Sequence, residues 1–168
     1  MTTSTRRDVT FSLNGERVTM SCEARTSLAD ALRGELGVRG VRLGCEQGVC
    51  GACTVTLDGR TVRSCLLLGH QVDDVQIETV EGMANGDQLH RLQRAFTACH
   101  ALQCGFCTSG FLAVAAELLR ANPQPSRAEI REAISGNLCR CTGYQNIVDA
   151  IELAAAASQD PTTDEETA

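Results

Sequence analysis

The chain carries the stretch Gly44-Cys45-Glu46-Gln47-Gly48-Val49-Cys50-Gly51-Ala52-Cys53, in which three cysteines are separated by four residues and then by two. A fourth cysteine, Cys65, follows after eleven further residues. Three glycines, Gly44, Gly48 and Gly51, are interleaved with the cysteines. Glycine permits the positive φ angles of a tight loop and lets backbone N–H groups point at sulfur. The stretch therefore predicts a loop that wraps four thiolates around one centre.

The spacing of these cysteines indicates which centre they hold. Cys45, Cys50, Cys53 and Cys65 have the spacing of the ligands to a plant-type 2Fe–2S cluster. Zinc also binds four cysteines, but the four-residue gap and the eleven-residue return fit the ferredoxin loop better. Disulfides are disfavoured because the closely spaced cysteine pairs could not staple a long loop. We therefore expect an iron–sulfur cluster and a reducing, cytoplasmic location.

A second set of cysteines lies in the other half of the chain, as Cys104-Gly105-Phe106-Cys107 and Cys139-Arg140-Cys141. Each pair comes just before a predicted helix. Helix N-termini favour anions because their free N–H groups and their dipole are positive. Two helix starts meeting at one anionic cluster would make a physically sensible site. The spacing alone leaves a zinc site with four cysteines open as an alternative.

The first 80 residues read as a small α+β unit. Asn14-Gly15 between two alternating segments is a strong hairpin signal. Ser27 is predicted to cap a short helix that continues to about Gly34. The strands are predicted at residues 9–13, 17–21, 54–57, 61–63 and 75–77.

The composition changes between Gly82 and Gly86, and helical spacing follows. Helices are predicted around residues 89–96, over 109–121, after the capping pair Ser126 and Glu129, and over 147–157. The second of these is apolar on nearly every face, so it must be covered by its neighbours or by a partner. We predict domains at residues 1–82 and 83–158, and an acidic disordered tail at 159–168.

Composition excludes several classes of function. The net charge is −6 and no basic residues cluster, so nucleic-acid binding is not expected. No run of about 18 apolar residues exists to span a membrane. Neither a dinucleotide-binding glycine motif nor a nucleophile–base pair is evident. Substrate chemistry must therefore take place on another polypeptide.

The cysteines and aromatic residues outside the two sets have plainer interpretations. Cys22 alternates with Val18 and Met20 on one strand face, and Cys99 follows Phe96 at helical spacing. Both cysteines are predicted to be small buried hydrophobic residues. Packing is the expected role of Tyr144, and that of Arg140 is left open. The three histidines, at positions 70, 90 and 100, show no metal-ligand spacing.

Three motifs together closely resemble the iron–sulfur subunit of the molybdenum hydroxylases. They are Gly44–Val55, Gln103–Thr108 and Gly136–Tyr144, and the resemblance covers roughly residues 8–157. This family includes xanthine dehydrogenase, aldehyde oxidoreductase, carbon monoxide dehydrogenase and bacterial N-heterocycle hydroxylases. One departure is Ser109, where many members have proline. Serine is also tolerated in the first turn of a helix.

The resemblance implies a fold and a set of cofactors. The fold is α+β, with an N-terminal β-grasp ferredoxin-like 2Fe–2S domain followed by a C-terminal four-helix-bundle 2Fe–2S domain. The bundle cluster would lie nearer molybdenum and the ferredoxin-like cluster nearer a flavin. Gln103 matches the family glutamine that contacts molybdopterin, here expected in its cytosine dinucleotide form. The loop glycines Gly44, Gly48 and Gly51 would line the first cluster.

The resemblance also implies partners. A large subunit would bind molybdopterin, a medium subunit would bind FAD, and the complex would be a dimer of heterotrimers. Electrons would pass from molybdenum through both clusters to FAD, and an aromatic N-heterocycle is the expected substrate class. The alternatives are a free-standing ferredoxin-like carrier and a subunit of a carbon monoxide or aldehyde oxidising enzyme. The apolar helix and Gln103 argue against the free carrier.

Overall fold

A computed structural model describes residues 6–157 of the 168-residue chain. The acidic segment 159–168, predicted to be disordered, lies outside the described residues. Within the described part, no helix is both long enough and apolar enough to cross a membrane.

A five-stranded sheet forms most of the first half. Its strands are β1 (Arg6–Leu13), β2 (Glu16–Glu23), β3 (Thr54–Leu57), β4 (Arg60–Arg63) and β5 (Gln76–Glu78), in the order β2-β1-β5-β3-β4. β1 and β5 are parallel, and the other neighbouring pairs are antiparallel. The predicted hairpin is confirmed: Asn14 and Gly15 join β1 to β2 with φ angles of 52° and 86°. Positive φ at both turn positions is what a two-residue hairpin turn of type I′ requires.

Helix α1 (Leu28–Gly34) covers the core of this sheet. It begins after Ser27, whose hydroxyl accepts a hydrogen bond from the Asp30 backbone N–H at 3.1 Å, as predicted. Phe11, Leu28 and Leu32 are fully buried between the helix and the sheet. Cys22 joins the same core at 1% exposure, which confirms its interpretation as a buried hydrophobic residue.

Four helices form the second half: α2 (Arg91–Ala98), α3 (Thr108–Ala121), α4 (Arg127–Ile134) and α5 (Gln145–Ala157). They enclose a separate hydrophobic core around Phe96, Phe111, Ile130, Ile147 and Ile151. The predicted capping box of α4 is confirmed, because Ser126 and Glu129 exchange side-chain-to-backbone hydrogen bonds. α2 begins two residues later than its apolar spacing suggested, because His90 forms the N-cap. The overall architecture is therefore the predicted α+β arrangement.

The apolar helix α3 is covered largely by its own chain. Its residues Phe111, Leu112, Ala115 and Leu119 are buried in the helical core. Its polar face meets the sheet, where the Glu117 carboxylate accepts a hydrogen bond from the backbone N–H of Thr61 at 3.1 Å. The helical half is thereby seated against strands β3 and β4, which flank the first cysteine loop.

Candidate metal centres

The first cysteine set is gathered by one loop and the strand pair that follows it. Cys45 and Cys50 lie in the loop between α1 and β3, Cys53 ends it, and Cys65 follows β4. The backbone N–H groups of Gln47 and Cys50 point at the Cys45 sulfur, at 3.4 and 3.3 Å. These donors, Cys50 first, lower the pKa of the Cys45 thiol to about 7. The loop thus favours the thiolate form that a metal requires.

Cys65 completes the first set. Burial first, and then the neighbouring thiols of Cys53 and Cys45, raise the pKa of its thiol to about 11. The proximity of these thiols means that the structure brings together all four predicted residues of the first set. Like-charged thiolates at such short range require a cation between them, because their mutual repulsion otherwise keeps them protonated.

The three loop glycines each meet a different steric demand. Gly48 has φ 76°, and a Cβ there would lie 2.5 Å from Leu66 Cδ1. Gly51 has φ 77°, and its Cβ would lie 2.6 Å from the Asn137 side-chain oxygen. Gly44 has no positive φ, but its Cβ would lie 3.2 Å from the Cys50 sulfur. The loop therefore needs glycine both for backbone angle and for space.

The second cysteine set comes together at the end of the helical half. Cys107 is the residue before α3, and its thiol pKa is raised to about 12 by burial and by the adjacent Cys139 thiol. Cys104 and Cys141 meet at a sulfur–sulfur distance of 3.6 Å. The chain thus also brings together the four predicted residues of the second set. The N-terminus of α3 lies directly at the site, whereas α5 begins four residues after Cys141.

Thr142 makes a contact with the second set that the sequence analysis did not anticipate. Its hydroxyl and its backbone N–H both donate to the Cys139 sulfur, at 3.1 and 3.4 Å. Burial raises the pKa of Cys139, but the two Thr142 donors, together with the Cys141 backbone N–H and the Cys107 thiol, lower it below its usual value. In the sequence, the only indication of this contact is that a hydroxyl residue follows directly after Cys141, the last cysteine of the pair.

Tyr144 packs as predicted and also makes a polar contact. Its ring meets Phe111 edge-on, with centroids 6.1 Å apart. Its hydroxyl accepts a hydrogen bond from the Cys139 backbone N–H at 2.9 Å. Tyr144 has φ 68°, a left-handed conformation that turns the chain back toward Cys139.

Asn137 and Arg63 connect the two sites, and neither was singled out from the sequence. Asn137 is buried, and its side-chain oxygen accepts a hydrogen bond from Arg63 at 2.9 Å. Arg63 also donates to the Gly136 carbonyl at 2.7 Å. Because Arg63 ends β4, this arginine ties the strand before Cys65 to the loop before Cys139.

The second site is open to solvent, and exposed apolar residues lie beside its cysteines in the chain. Cys104 and Cys141 are exposed, and so are Leu102, Phe106 and Leu138, at 42%, 43% and 51% of their surface. We refer to these three apolar residues as the Leu102 ring. Exposed apolar residues grouped around a reactive centre mark an interaction surface rather than a stable free one.

Gln103 lies inside this exposed region, beside Cys104. Its side chain is exposed and makes no hydrogen bond to any residue in the described part of the chain. A hydrogen bond from the Gln103 side chain to its own helix end is therefore not found among residues 6–157.

The donor set fits a two-iron cluster. Across residues 6–157, no three cysteine, histidine or acidic side chains converge on a single metal-ion position. A 2Fe–2S cluster does not need that convergence, because its four thiolates are divided between two irons that also share bridging sulfides. Four grouped thiols with N–H or O–H donors aimed at their sulfurs are the groups that such a cluster takes.

The remaining cysteine and the capping histidine have structural roles. Cys99 follows α2 and is only partly buried against the helical core, so it is less enclosed than predicted. The chain leaves the helix there, with Cys99 N–H bonded back to Ala95. His90 caps α2, its Nδ1 accepting from the Leu92 N–H at 3.3 Å.

Two protein families match the chain in sequence. A 2Fe–2S iron–sulfur cluster binding domain matches residues 11–89, and a second 2Fe–2S binding domain matches residues 79–152. The chain therefore contains two 2Fe–2S-binding domains, one for each cysteine set.

Individual relatives are similar over nearly their whole length. The small subunit of nicotine 6-hydroxylase from Paenarthrobacter nicotinovorans is 55% identical, with 88% of this chain and 89% of the relative covered. Subunit gamma of caffeine dehydrogenase from Pseudomonas sp. strain CBB1 is 48% identical, with 93% and 92% covered. In the solved structure of quinoline 2-oxidoreductase from Pseudomonas putida 86, one chain superposes with a TM-score of 0.90. It is 51% identical, and the match covers 93% of this chain and 98% of that one.

Proposed function

Since this chain belongs to the small iron–sulfur subunits of the molybdenum hydroxylases, we propose that it links a molybdopterin centre in a large subunit to FAD in a medium subunit. When bound, its two 2Fe–2S clusters supply one-electron chemistry, with electrons entering at the second cysteine set and leaving from the first. The catalysed substrate chemistry belongs to the large subunit. The chain's own residues would hold the clusters and place them next to each other.

We assign the ligands by set. Cys45, Cys50, Cys53 and Cys65 would hold the first cluster, within the loop of Gly44, Gly48 and Gly51. Cys104, Cys107, Cys139 and Cys141 would hold the second. We divide the chain at residues 82 and 83, so that each domain contains one set.

The observation that carries the proposal is the exposure of the second site. Two of its four cysteines reach solvent, and the Leu102 ring adds exposed apolar residues close to the cysteines in sequence. A free carrier would have a polar, hydrated docking face, and an uncovered cluster would be open to water. A permanent partner that covers the Leu102 ring would bury its apolar surface and would keep water away from the second cluster. Gln103, unpaired in the described chain and next to Cys104, would then reach the pterin held by that partner.

The names of the relatives support a substrate class. Nicotine, caffeine and quinoline, which appear in those names, are all aromatic N-heterocycles. We propose that the complex hydroxylates a compound of this class, with molybdopterin in its cytosine dinucleotide form. We further propose a dimer of heterotrimers located in the cytoplasm. Purifying the native complex and screening it against N-heterocycles, aldehydes and carbon monoxide would test the substrate class.

The order of electron transfer is tested by two matched variants of the assembled complex. Cys104→Ser should block cluster reduction at the first step after substrate is mixed in. Cys45→Ser should leave the second cluster reducible while FAD reduction stalls. Rapid mixing followed by visible absorption would separate these outcomes. Normal FAD reduction in Cys45→Ser would show that the proposed order is wrong.

A further inference from the structure

The sulfur of Cys139 receives a type of hydrogen bond that the other proposed cluster ligands lack. Apart from the cysteines themselves, Thr142 is the only residue among residues 6–157 whose side chain donates a hydrogen bond to one of the eight cysteine sulfurs. Among the described residues, the non-thiol hydrogen bonds to the first site come from backbone N–H groups, chiefly those of Gln47 and Cys50 to Cys45. The two sites therefore differ in the kind of donor around them, because only the second has a side-chain hydroxyl aimed at a sulfur.

The Thr142 hydroxyl also accepts a hydrogen bond from the backbone. Its oxygen accepts a hydrogen bond from the Tyr144 backbone N–H at 3.2 Å. With a lone pair occupied from that side, the hydroxyl proton is free to point to the Cys139 sulfur 3.1 Å away. A backbone contact within the fold thus favours the donor direction toward the sulfur.

Tyr144 is in turn fixed from two sides. Its hydroxyl accepts from the Cys139 N–H at 2.9 Å, and its ring packs edge-on against the fully buried Phe111. Cys139, Thr142 and Tyr144 therefore close a ring of hydrogen bonds. Within this ring, the bond that orients the Thr142 hydroxyl comes from the Tyr144 backbone N–H, so it is kept when the Tyr144 hydroxyl is removed.

A donor fixed on a ligand sulfur acts on the two oxidation states unequally. An oxidised cluster with four thiolates carries about −2 and its reduced form about −3. A hydrogen bond to a more negative acceptor is stronger, so the donor stabilises the reduced form more. The reduction potential of the cluster rises as a result.

We propose that Thr142 is a positioning residue that raises the reduction potential of the second cluster through its hydroxyl bond to Cys139. This inference rests on the proposed function, in which the second cluster takes electrons first. A raised potential there would make this cluster the better acceptor from molybdenum.

The test uses the assembled complex and an electron paramagnetic resonance titration of both clusters. Thr142→Val keeps the shape of the side chain and removes the donor. The second cluster should become harder to reduce by about tenfold in its oxidised-to-reduced ratio, about 59 mV for one electron. Thr142→Ser keeps the hydroxyl and should stay near the unmodified potential. The first cluster should not move in either variant.

Tyr144→Phe is the matched control, because it removes a hydrogen bond in the same ring but no donor to sulfur. Its second-cluster potential should stay close to the unmodified value. An unchanged potential in Thr142→Val, or an equal shift in Thr142→Ser, would overturn the proposal. Iron content is measured alongside. Loss of the second cluster in both Thr142→Val and Thr142→Ala would also overturn it, since Thr142 would then hold the cluster rather than set its potential.

Failure of the proposed function would look different. Cys104→Ser identifies which resonance signal belongs to the second cluster. If both signals survive that substitution, the ligand assignment is wrong. If one signal is lost but the same signal does not move in Thr142→Val, only the role of Thr142 is wrong.

Discussion

The backbone N–H of Leu138 donates a hydrogen bond of 2.9 Å to the carbonyl oxygen of Cys50, joining the two cysteine loops directly. Cys50 belongs to the first set, and Leu138 is the residue before Cys139 of the second. Asn137, the residue before Leu138, accepts a hydrogen bond from Arg63 beside the first site. The two cysteine loops are therefore directly bonded to each other, and a substitution that separates them should disturb both clusters.

Gly110→Ala should separate the loops. Gly110 lies in the first turn of α3, and a Cβ there would overlap the Gly51 carbonyl and approach the Asn137 side chain. Overpacking at a site this tight typically destabilises by about 1–3 kcal/mol. We expect a lower thermal midpoint and iron loss from both sites. Gly34→Ala, at the end of α1 with nothing within 4 Å of its Cβ, is the control and should retain iron. Full iron content in Gly110→Ala would contradict the tight junction.

Iron analysis of the purified complex should find about four irons and four acid-labile sulfides per chain, because two 2Fe–2S clusters contain that number. A redox titration should show two signals at different potentials, since the sites differ in donors and exposure. A stoichiometric zinc content, or two irons per chain, would remove one of the clusters.

Gln103→Ala should leave both clusters in place, because no thiol is lost. We expect slower cluster reduction after substrate is added, since the amide would no longer reach the pterin. Loss of one hydrogen bond from a buried polar group costs about 1–3 kcal/mol, so the effect should be partial. Rapid mixing measures it. An unchanged rate with molybdenum fully retained would place Gln103 away from the pathway.

Leu138→Ser should weaken assembly with the large subunit. The Leu138 side chain is 51% exposed in the Leu102 ring, whereas its structural hydrogen bond comes from the backbone and is kept. Truncating an interface leucine of this kind costs about 1–2 kcal/mol, or roughly five- to thirtyfold in affinity. Dilution of the complex followed by size-exclusion chromatography would detect this. Leu153→Ser, a comparably exposed leucine on α5 outside the ring, is the control. Equal dissociation of both variants would rule out the ring as the docking surface.

The His90 cap should make stability depend on pH. Its pKa is lowered by burial first, then by Arg91 and Arg94, and Nδ1 can accept the Leu92 N–H only when unprotonated. With the folded pKa below the unfolded value near 6.5, the stabilisation is complete above about pH 6.5. It decreases as the pH falls from there through the folded pKa. The size should be at most about 1 kcal/mol, the usual value of a cap.

His90→Asn retains a capping side chain that does not titrate, so its thermal midpoint should vary less between pH 7.5 and 5.5. His100→Asn is the comparison variant and should keep the pH dependence of the unmodified protein. An equal pH dependence in His90→Asn and the unmodified protein would show that the cap is not its source.

The amino-acid sequence by itself determined the features that arise from neighbouring residues. The two cysteine sets, the Asn14-Gly15 hairpin and the Ser126–Glu129 capping box all follow from spacings of a few residues. The physical reason is that loop closure, turn angles and helix caps depend on local backbone geometry. The predicted helices and most strands agree with the structure to within about two residues at each end for the same reason.

Only the tertiary structure decided how the two sites meet. Asn137 and Gly51 are 86 residues apart in sequence, and no pattern of apolar and polar residues predicts that they are in contact. The close approach of Gly110 to Gly51 is equally invisible, because a helical glycine usually signals only weak helix preference. Thr142 lies three residues from Cys139, yet its donor role depends on the direction that Tyr144 imposes. Such contacts depend on how separate elements pack, and packing is set by the shapes of both surfaces rather than by either segment alone.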